Sequence, residues 1–346
     1  MLWACTYKGS GNYKMPEKSR DHRVDWIRAI CSLTIILAHV GAPSMVNQIR
    51  TFDVVSLVFV SGISMSYSQK REYREYVQQR VEKLLFPTYA VISFIFILSF
   101  FTCEFLHTKQ LYSIGQMIRS FLLLNSGSMG YVWIVRVYLC IAVFHPIIKS
   151  IASSLNSKWK LYFFEGLSVA TGYIMYSIRE IIQYDLAKDI FTDYVYSTFV
   201  YCVIVVLAVW SSANKTEQKA ICTEMAVIFV IIQIVMSFKD VGFAPGAFKF
   251  PPRLYYCVYG LLCTYILLLA VPNKRNNAIE WVSKNSFMIY LFHIIMLRCY
   301  GLATKMKPFR TLEKLWVVEY IVVTIGAMIM VVLWNNVNMK WIRRKK

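Results

Sequence analysis

Apolar residues along this chain fall into long blocks separated by short polar stretches. Ten blocks stand out, at roughly 26–45, 51–68, 84–106, 131–152, 161–178, 195–213, 220–238, 254–272, 286–303 and 316–338. Each approaches the roughly 20 apolar residues that a helix needs to cross a bilayer. In lipid, only helices and closed barrels satisfy every backbone polar group. The strict alternation of a barrel strand is absent. The pattern predicts an all-α integral membrane protein of about ten transmembrane helices. It divides the chain into a polar basic tail at 1–23, a membrane domain at 24–338 and a basic tail at 339–346. There is little room for a soluble catalytic domain, and no internal repeat is evident.

Composition agrees. Of 346 residues, 57% are hydrophobic and only 16% charged. An ordinary soluble domain is about 45–50% apolar and about 25% charged. The formal net charge of +19 invites nucleic acid as a partner, but no basic domain exists outside the apolar blocks. Basic residues that flank cytoplasmic helix ends explain it better. With the N-terminus inside, 23 of the 38 Lys and Arg fall on the cytoplasmic side, 12 outside, and three (Arg28, Arg136 and Arg298) within spans. That bias places both termini in the cytoplasm, which an even number of spans requires. The nine cysteines show neither metal-ligand spacing nor a disulfide framework. The first 23 residues lack the apolar core of a cleavable signal peptide.

Ionisable residues inside lipid are costly and mark function by default. The first block and the residues leading into it read Arg23-Val-Asp25-Trp-Ile-Arg28, with His39 eleven residues beyond Arg28. Arg28 and His39 are eleven residues apart, about three helical turns, which puts them on one face about 16 Å apart along the axis. Ser32 and Ile35 lie between them on that face. Asp25, one turn before Arg28, is spaced to pair with it. Arg suits a phosphate-bearing group, and a neutral His can take a proton from a hydroxyl. The competing reading is that Arg28 snorkels and His39 only bonds a neighbouring helix.

Other blocks carry weaker signals. Ser61-Gly62 is either a close helix contact through small residues or a substrate contact. A basic loop containing Arg80 and Lys83 either anchors the cytoplasmic face or holds a phosphorylated cosubstrate. Trp133 is spaced as an interfacial anchor, whereas Arg136 sits inside its span. Ser286, Tyr290 and His293 share one helical face. Phe250-Pro251-Pro252 marks a rigid approach to the eighth helix. His145, beside Pro146, reads as interfacial. There is no Gly-Lys-Ser/Thr phosphate loop, no Gly-x-Ser-x-Gly elbow and no metal site.

These residues together resemble the acyltransferase-3 family of integral membrane O-acyltransferases. The resemblance is carried by Asp25-x-x-Arg28-x10-His39, Phe52…Phe59-Val-Ser61-Gly62, Arg80…Leu84…Pro87-x-Tyr89, Trp133…Tyr138…Pro146, Phe250-Pro251-Pro252…Tyr256 and Ser286…Tyr290-Leu-Phe-His293. The blocks run in family order over about 21–300. Two departures are Lys83, where the family often has a second Arg, and Val54-Val55-Ser56 in place of a Pro-containing stretch. The resemblance implies ten helices in a bacterial inner membrane, acetyl-CoA (acyl-CoA) as a cytoplasmic donor substrate, no tightly bound cofactor, and a cell-surface or lipid-linked glycan as acceptor. His39 would be the base or would briefly carry the acyl group, and Arg28 would hold donor or substrate. Asp25, Ser61, Arg80, Lys83, Trp133, Arg136, Tyr290 and His293 complete the candidate set, with no metal. Two other functions fit the composition: a transporter or flippase for a lipid-linked glycan, and a non-catalytic component of polysaccharide assembly. Oligomeric state is left open.

Overall fold

A computed structural model describes residues 20–67, 72–105, 107–239 and 241–344. The N-terminal tail up to residue 19, the basic residues Lys70 and Arg71, and the last two lysines lie outside the described residues. Among the described residues there is no β-strand.

The helices, in chain order, are α1 (Arg23–Leu37), α2 (Ser44–Ile49), α3 (Asp53–Ser66), α4 (Tyr73–Phe105), α5 (Ile114–Phe121), α6 (Trp133–Val143), α7 (His145–Ser154), α8 (Lys158–Ile181), α9 (Asp185–Ile190), α10 (Ser197–Ala213), α11 (Gln218–Ser237), α12 (Leu254–Ala270), α13 (Asn277–Ala303) and α14 (Trp316–Arg344). Each of the ten apolar blocks holds a helix among the described residues. Among the described residues six helical stretches are long and apolar enough to cross a membrane: Ser44–Ser66, Tyr73–Phe105, Asp185–Ala213, Lys215–Ser237, Asn277–Ala303 and Trp316–Asn336. The bent pair α6 and α7 makes a seventh if it is one span. α1 has 15 residues and α12 has 17, so both fall short of the roughly 20 that the hydrocarbon core asks for.

Three expectations change in detail. The first block does not run as helix to residue 45. α-Helical bonding stops at Leu37, and the His39 amide reaches back only three residues, to the Ile36 carbonyl at 3.0 Å. Gly41 at φ +61° and Pro43 behind it end the helix, because a left-handed residue and a proline both break its continuation. The fourth block is also not one straight helix. It bends by 64° between Val143 and His145, where Pro146 removes a backbone donor from the second helical residue. Finally, the basic segment with Arg80 and Lys83 is not a loop. It forms the first turns of α4, a helix of 33 residues. Its polar residues are good helix formers, and Gln78 donates to Glu82 one turn on at 2.9 Å. At 1.5 Å per residue α4 is about 50 Å long, well beyond a hydrocarbon core of about 30 Å.

The chain divides into two compact units, one of residues up to Asp53 with Ile266 onward, the other of Val54–Tyr265. In the first, α1 and α14 both pack on α13. Asn335 donates to Asn285 at 3.1 Å and Trp334 meets Phe292 edge-on, so α14 runs antiparallel to α13. In the second, α3 packs tightly through small residues. A methyl added at Gly62 would come within 2.8 Å of the Ala208 Cβ, and one at Gly260 within 2.5 Å of the Val55 Cβ. Ser56 and Thr264 share a buried hydrogen bond of 2.6 Å between α3 and α12. No disulfide joins the described cysteines.

Candidate active site

In the first unit α1 presents Asp25, Arg28, Ser32 and Ile35 to the interior, and all four are buried. At its N-terminal end, Asp25 accepts from Arg20 at 2.8 Å and from the Ser283 hydroxyl of α13 at 2.7 Å. Arg28 donates to the same Ser283 oxygen at 3.4 Å. Among the described residues Asp25 ion-pairs with Arg20 and not with Arg28. The spacing-based Asp25–Arg28 pair is replaced by a serine that bridges the two. The arrangement continues into Glu280, which accepts from Arg20 at 3.2 Å and Arg275 at 2.8 Å and pairs with Lys284 at 2.5 Å. Ser32 turns its hydroxyl back to the Arg28 carbonyl at 2.7 Å.

At the other end lies His39, half-buried just beyond the end of α1. Its Nδ1 is 3.3 Å from Nε2 of His293, and the ring centroids are 5.2 Å apart. His293 is fully buried in α13, and its Nδ1 bonds the Tyr290 carbonyl. A carbonyl only accepts, so Nδ1 of His293 carries a proton. In the neutral ring Nε2 is then an acceptor. His39 must donate from its own Nδ1, which leaves Nε2 as its basic nitrogen. The chain from Tyr290 carbonyl to His293 to His39 therefore selects one tautomer of His39 and fixes its ring. A group so oriented is suited to remove a proton from a hydroxyl or to attack an acyl carbon.

The structure thus brings together His39, Tyr290 and His293 at one end of α1, and Asp25 with Arg28 at the other. Sequence reasoning missed Ser283, Glu280 and Arg20. Ser283 precedes the predicted ninth span, and no local pattern announces a partner 258 residues away.

The remaining candidates lie in the second unit. Ser61 donates to the Val58 carbonyl of its own helix at 2.7 Å, and the adjoining Gly62 serves close packing. Arg80 stacks over the Tyr76 ring at 5.3 Å, Tyr76 stacks on His145 at 4.5 Å, and Lys83 is three residues further along α4. Trp133 is buried and meets Phe250 edge-on at 5.1 Å, so it is no exposed interfacial anchor. Arg136 is also buried. It donates to the Leu123 carbonyl at 2.7 Å and pairs with Asp193 at 3.0 Å. Asp193, which sequence reasoning passed over, in turn accepts from the Asn125 amide at 2.7 Å. It sits in a π-helical stretch, Phe191–Tyr196, between α9 and α10. Such wide turns are frequent at functional sites. Phe250-Pro251 is a cis peptide, and the Pro252 carbonyl accepts from the Tyr196 hydroxyl at 3.0 Å.

No curated protein and no solved structure matches the chain. A family model described as an acyltransferase domain, that of acyltransferase family 3, matches residues 21–335. That stretch holds the site residues from Asp25 to His293, with Arg20 just before it, and the chain belongs to the acyltransferase-3 family of membrane acyltransferases.

Proposed function

We propose that this membrane acyltransferase moves an acetyl or other acyl group from cytoplasmic acyl-CoA to a hydroxyl of a cell-surface or lipid-linked glycan. The observation that carries the proposal is the hydrogen-bonded chain that ends in His39. A thioester is already activated, so the enzyme has three tasks: deprotonate the hydroxyl, align it, and stabilise the tetrahedral oxyanion. His39 Nε2 takes the hydroxyl proton as the oxygen attacks the thioester carbon. The carbon–sulfur bond breaks, and the proton passes to the CoA thiolate. If His39 instead carries the acyl group, the same nitrogen is the nucleophile, so the selected tautomer serves either route. An apolar surround limits wasteful hydrolysis of the thioester.

Ten spans with both termini in the cytoplasm complete the proposal. Within the first unit, Asp25 meets Ser283 and His39 meets His293, so α1 and α13 run parallel. That direction is what spans one and nine share in a ten-span chain. In this orientation Arg28 and its charged neighbours lie near the cytoplasmic face, where the phosphates of an acyl-CoA arrive, and His39 lies deeper. The acyltransferase reading uses the basic nitrogen that this buried chain leaves on His39, a role a scaffold does not call for.

The test is transfer of labelled acetyl from acetyl-CoA to a glycan fraction by membranes carrying wild type or His39→Ala at equal protein level. The proposal expects label with the wild type and a loss of about 10²-fold or more in the variant, the scale of general-base catalysis.

A further inference from the structure

The second unit contains a cavity of about 140 Å³ lined by Trp133, Tyr201 and Phe250 together with Arg136, Asp189 and Asp193. Three separate stretches build it, around Asn125–Arg136, Arg179–Tyr201 and Phe250–Pro252. In the proposed orientation the loops of all three lie on the side away from the cytoplasm.

Its size, charge and chemistry restrict the occupant. Pockets for drug-sized ligands measure about 300–1,000 Å³, so this cavity has room for a single ring and not for a CoA. Its charges are compensated. Arg136 pairs with Asp193, Asp189 with Arg119, and Arg179 with Glu180. A lining balanced in this way gives an anion no net attraction. What remains is hydrogen bonding and aromatic surface. Trp133 lies 5.1 Å from Phe250 and 6.3 Å from Tyr201 by ring centroids. Asp189, Asp193 and the Asn125 side chain offer acceptors beside them, and the π-helical stretch brings Thr192 and Asp193 into the wall. Arg136 adds a donor. Its guanidinium lines the cavity while holding Asp193 at 3.0 Å.

We propose that this cavity is a saccharide site that takes one uncharged sugar ring, its C–H face against Trp133 and its hydroxyls on Asp189, Asp193 and Arg136. A sugar ring has one face of C–H bonds that suits an aromatic surface. Its hydroxyls both donate and accept, which matches a lining of carboxylates and guanidinium. Its role as the acceptor's docking site rests on the acyltransferase reading above, but its binding of sugar does not.

The test is ligand-detected saturation-transfer NMR on the whole protein in lipid nanodiscs. The probes are the methyl glycosides of glucose, galactose, mannose, rhamnose and N-acetylglucosamine. At least one glycoside is expected to show saturation on its ring C–H protons. That signal falls about fivefold or more in Trp133→Leu and in Asp189→Asn, the size expected for one lost contact of this kind. It persists in His39→Ala. Added CoA leaves it unchanged. The proposal is overturned if no glycoside is saturated by the wild type, if CoA displaces the sugar, or if the variants retain full signal. Should Trp133→Leu fail to fold, the milder Asp189→Asn decides alone. A His39→Ala protein that still transfers acetyl would sink the proposed mechanism and leave the sugar site standing. Absent saturation with His39-dependent transfer intact would do the reverse.

Discussion

His293 meets His39 in a hydrogen bond of 3.3 Å, and that bond has a direct chemical test. His293→Gln places an amide oxygen near the position of Nε2 and can still accept from His39. His293→Ala cannot. The alanine variant should lose about 10-fold to 10²-fold in kcat, part of what a positioned base contributes, with KM for acyl-CoA unchanged. The glutamine variant should recover most of it. A purely structural histidine would show equal losses in both. At the other buried pair, Asp193→Asn leaves Arg136 as a charge without its counter-ion, a change that costs about 3–5 kcal/mol for a buried pair. The double variant Asp193→Leu/Arg136→Met removes both charges and should melt closer to the wild type than Asp193→Asn does. Thermal unfolding in detergent measures both. These partnerships were only partly legible from residue types. Arg28, His39 and His293 stood out because charge and imidazole are rare in lipid, and Tyr290 because it shares a helical face with His293. Ser283 and Asn125 did not, because a serine or asparagine near a helix end is ordinary until its distant partner is known.

Among the elements, α3 is held by contacts that exclude a methyl group. Gly260→Ala drives a Cβ into the branched Val55 side chain. It should destabilise the protein by about 1–3 kcal/mol, as overpacking does. Gly326→Ala, in the first unit, meets mainly the flexible end of Met296 and should shift the melting temperature much less. Equal shifts would contradict the packing described for α3. Helix positions were legible from hydropathy, but helix ends were not. The ninth span was read from 286, whereas α13 starts at Asn277 with an Asn276 side-chain cap. Hydropathy marks the part of a helix that suits lipid, and the polar turns before it carry Glu280 and Ser283. The same blind spot hid the first turns of α4 and the π-helical stretch that holds Asp193.

For the whole molecule the account requires an even number of spans. A fluorescent protein fused after Lys346 should fluoresce in the cytoplasm. Alkaline phosphatase fused after residue 184, in the segment before α9, should be active on the opposite side. Phosphatase activity at the C-terminus would contradict the ten-span orientation, and with it the cytoplasmic placement of Arg28. The fold class was legible at this scale because ten apolar blocks with a two-to-one bias of basic residues leave few alternatives. The break between α6 and α7 was not, since Pro146 sits in an otherwise continuous apolar run and only the backbone shows how far it turns.

The central claim is that His39, oriented by His293, performs acyl transfer. The most direct measurement is single-turnover transfer of labelled acetyl from acetyl-CoA by purified wild type and His39→Ala in nanodiscs, with lipid-linked glycan as acceptor. The account predicts label on the glycan with the wild type and a rate lower by about 10²-fold or more in the variant. Equal rates would remove His39 from the mechanism and contradict the account.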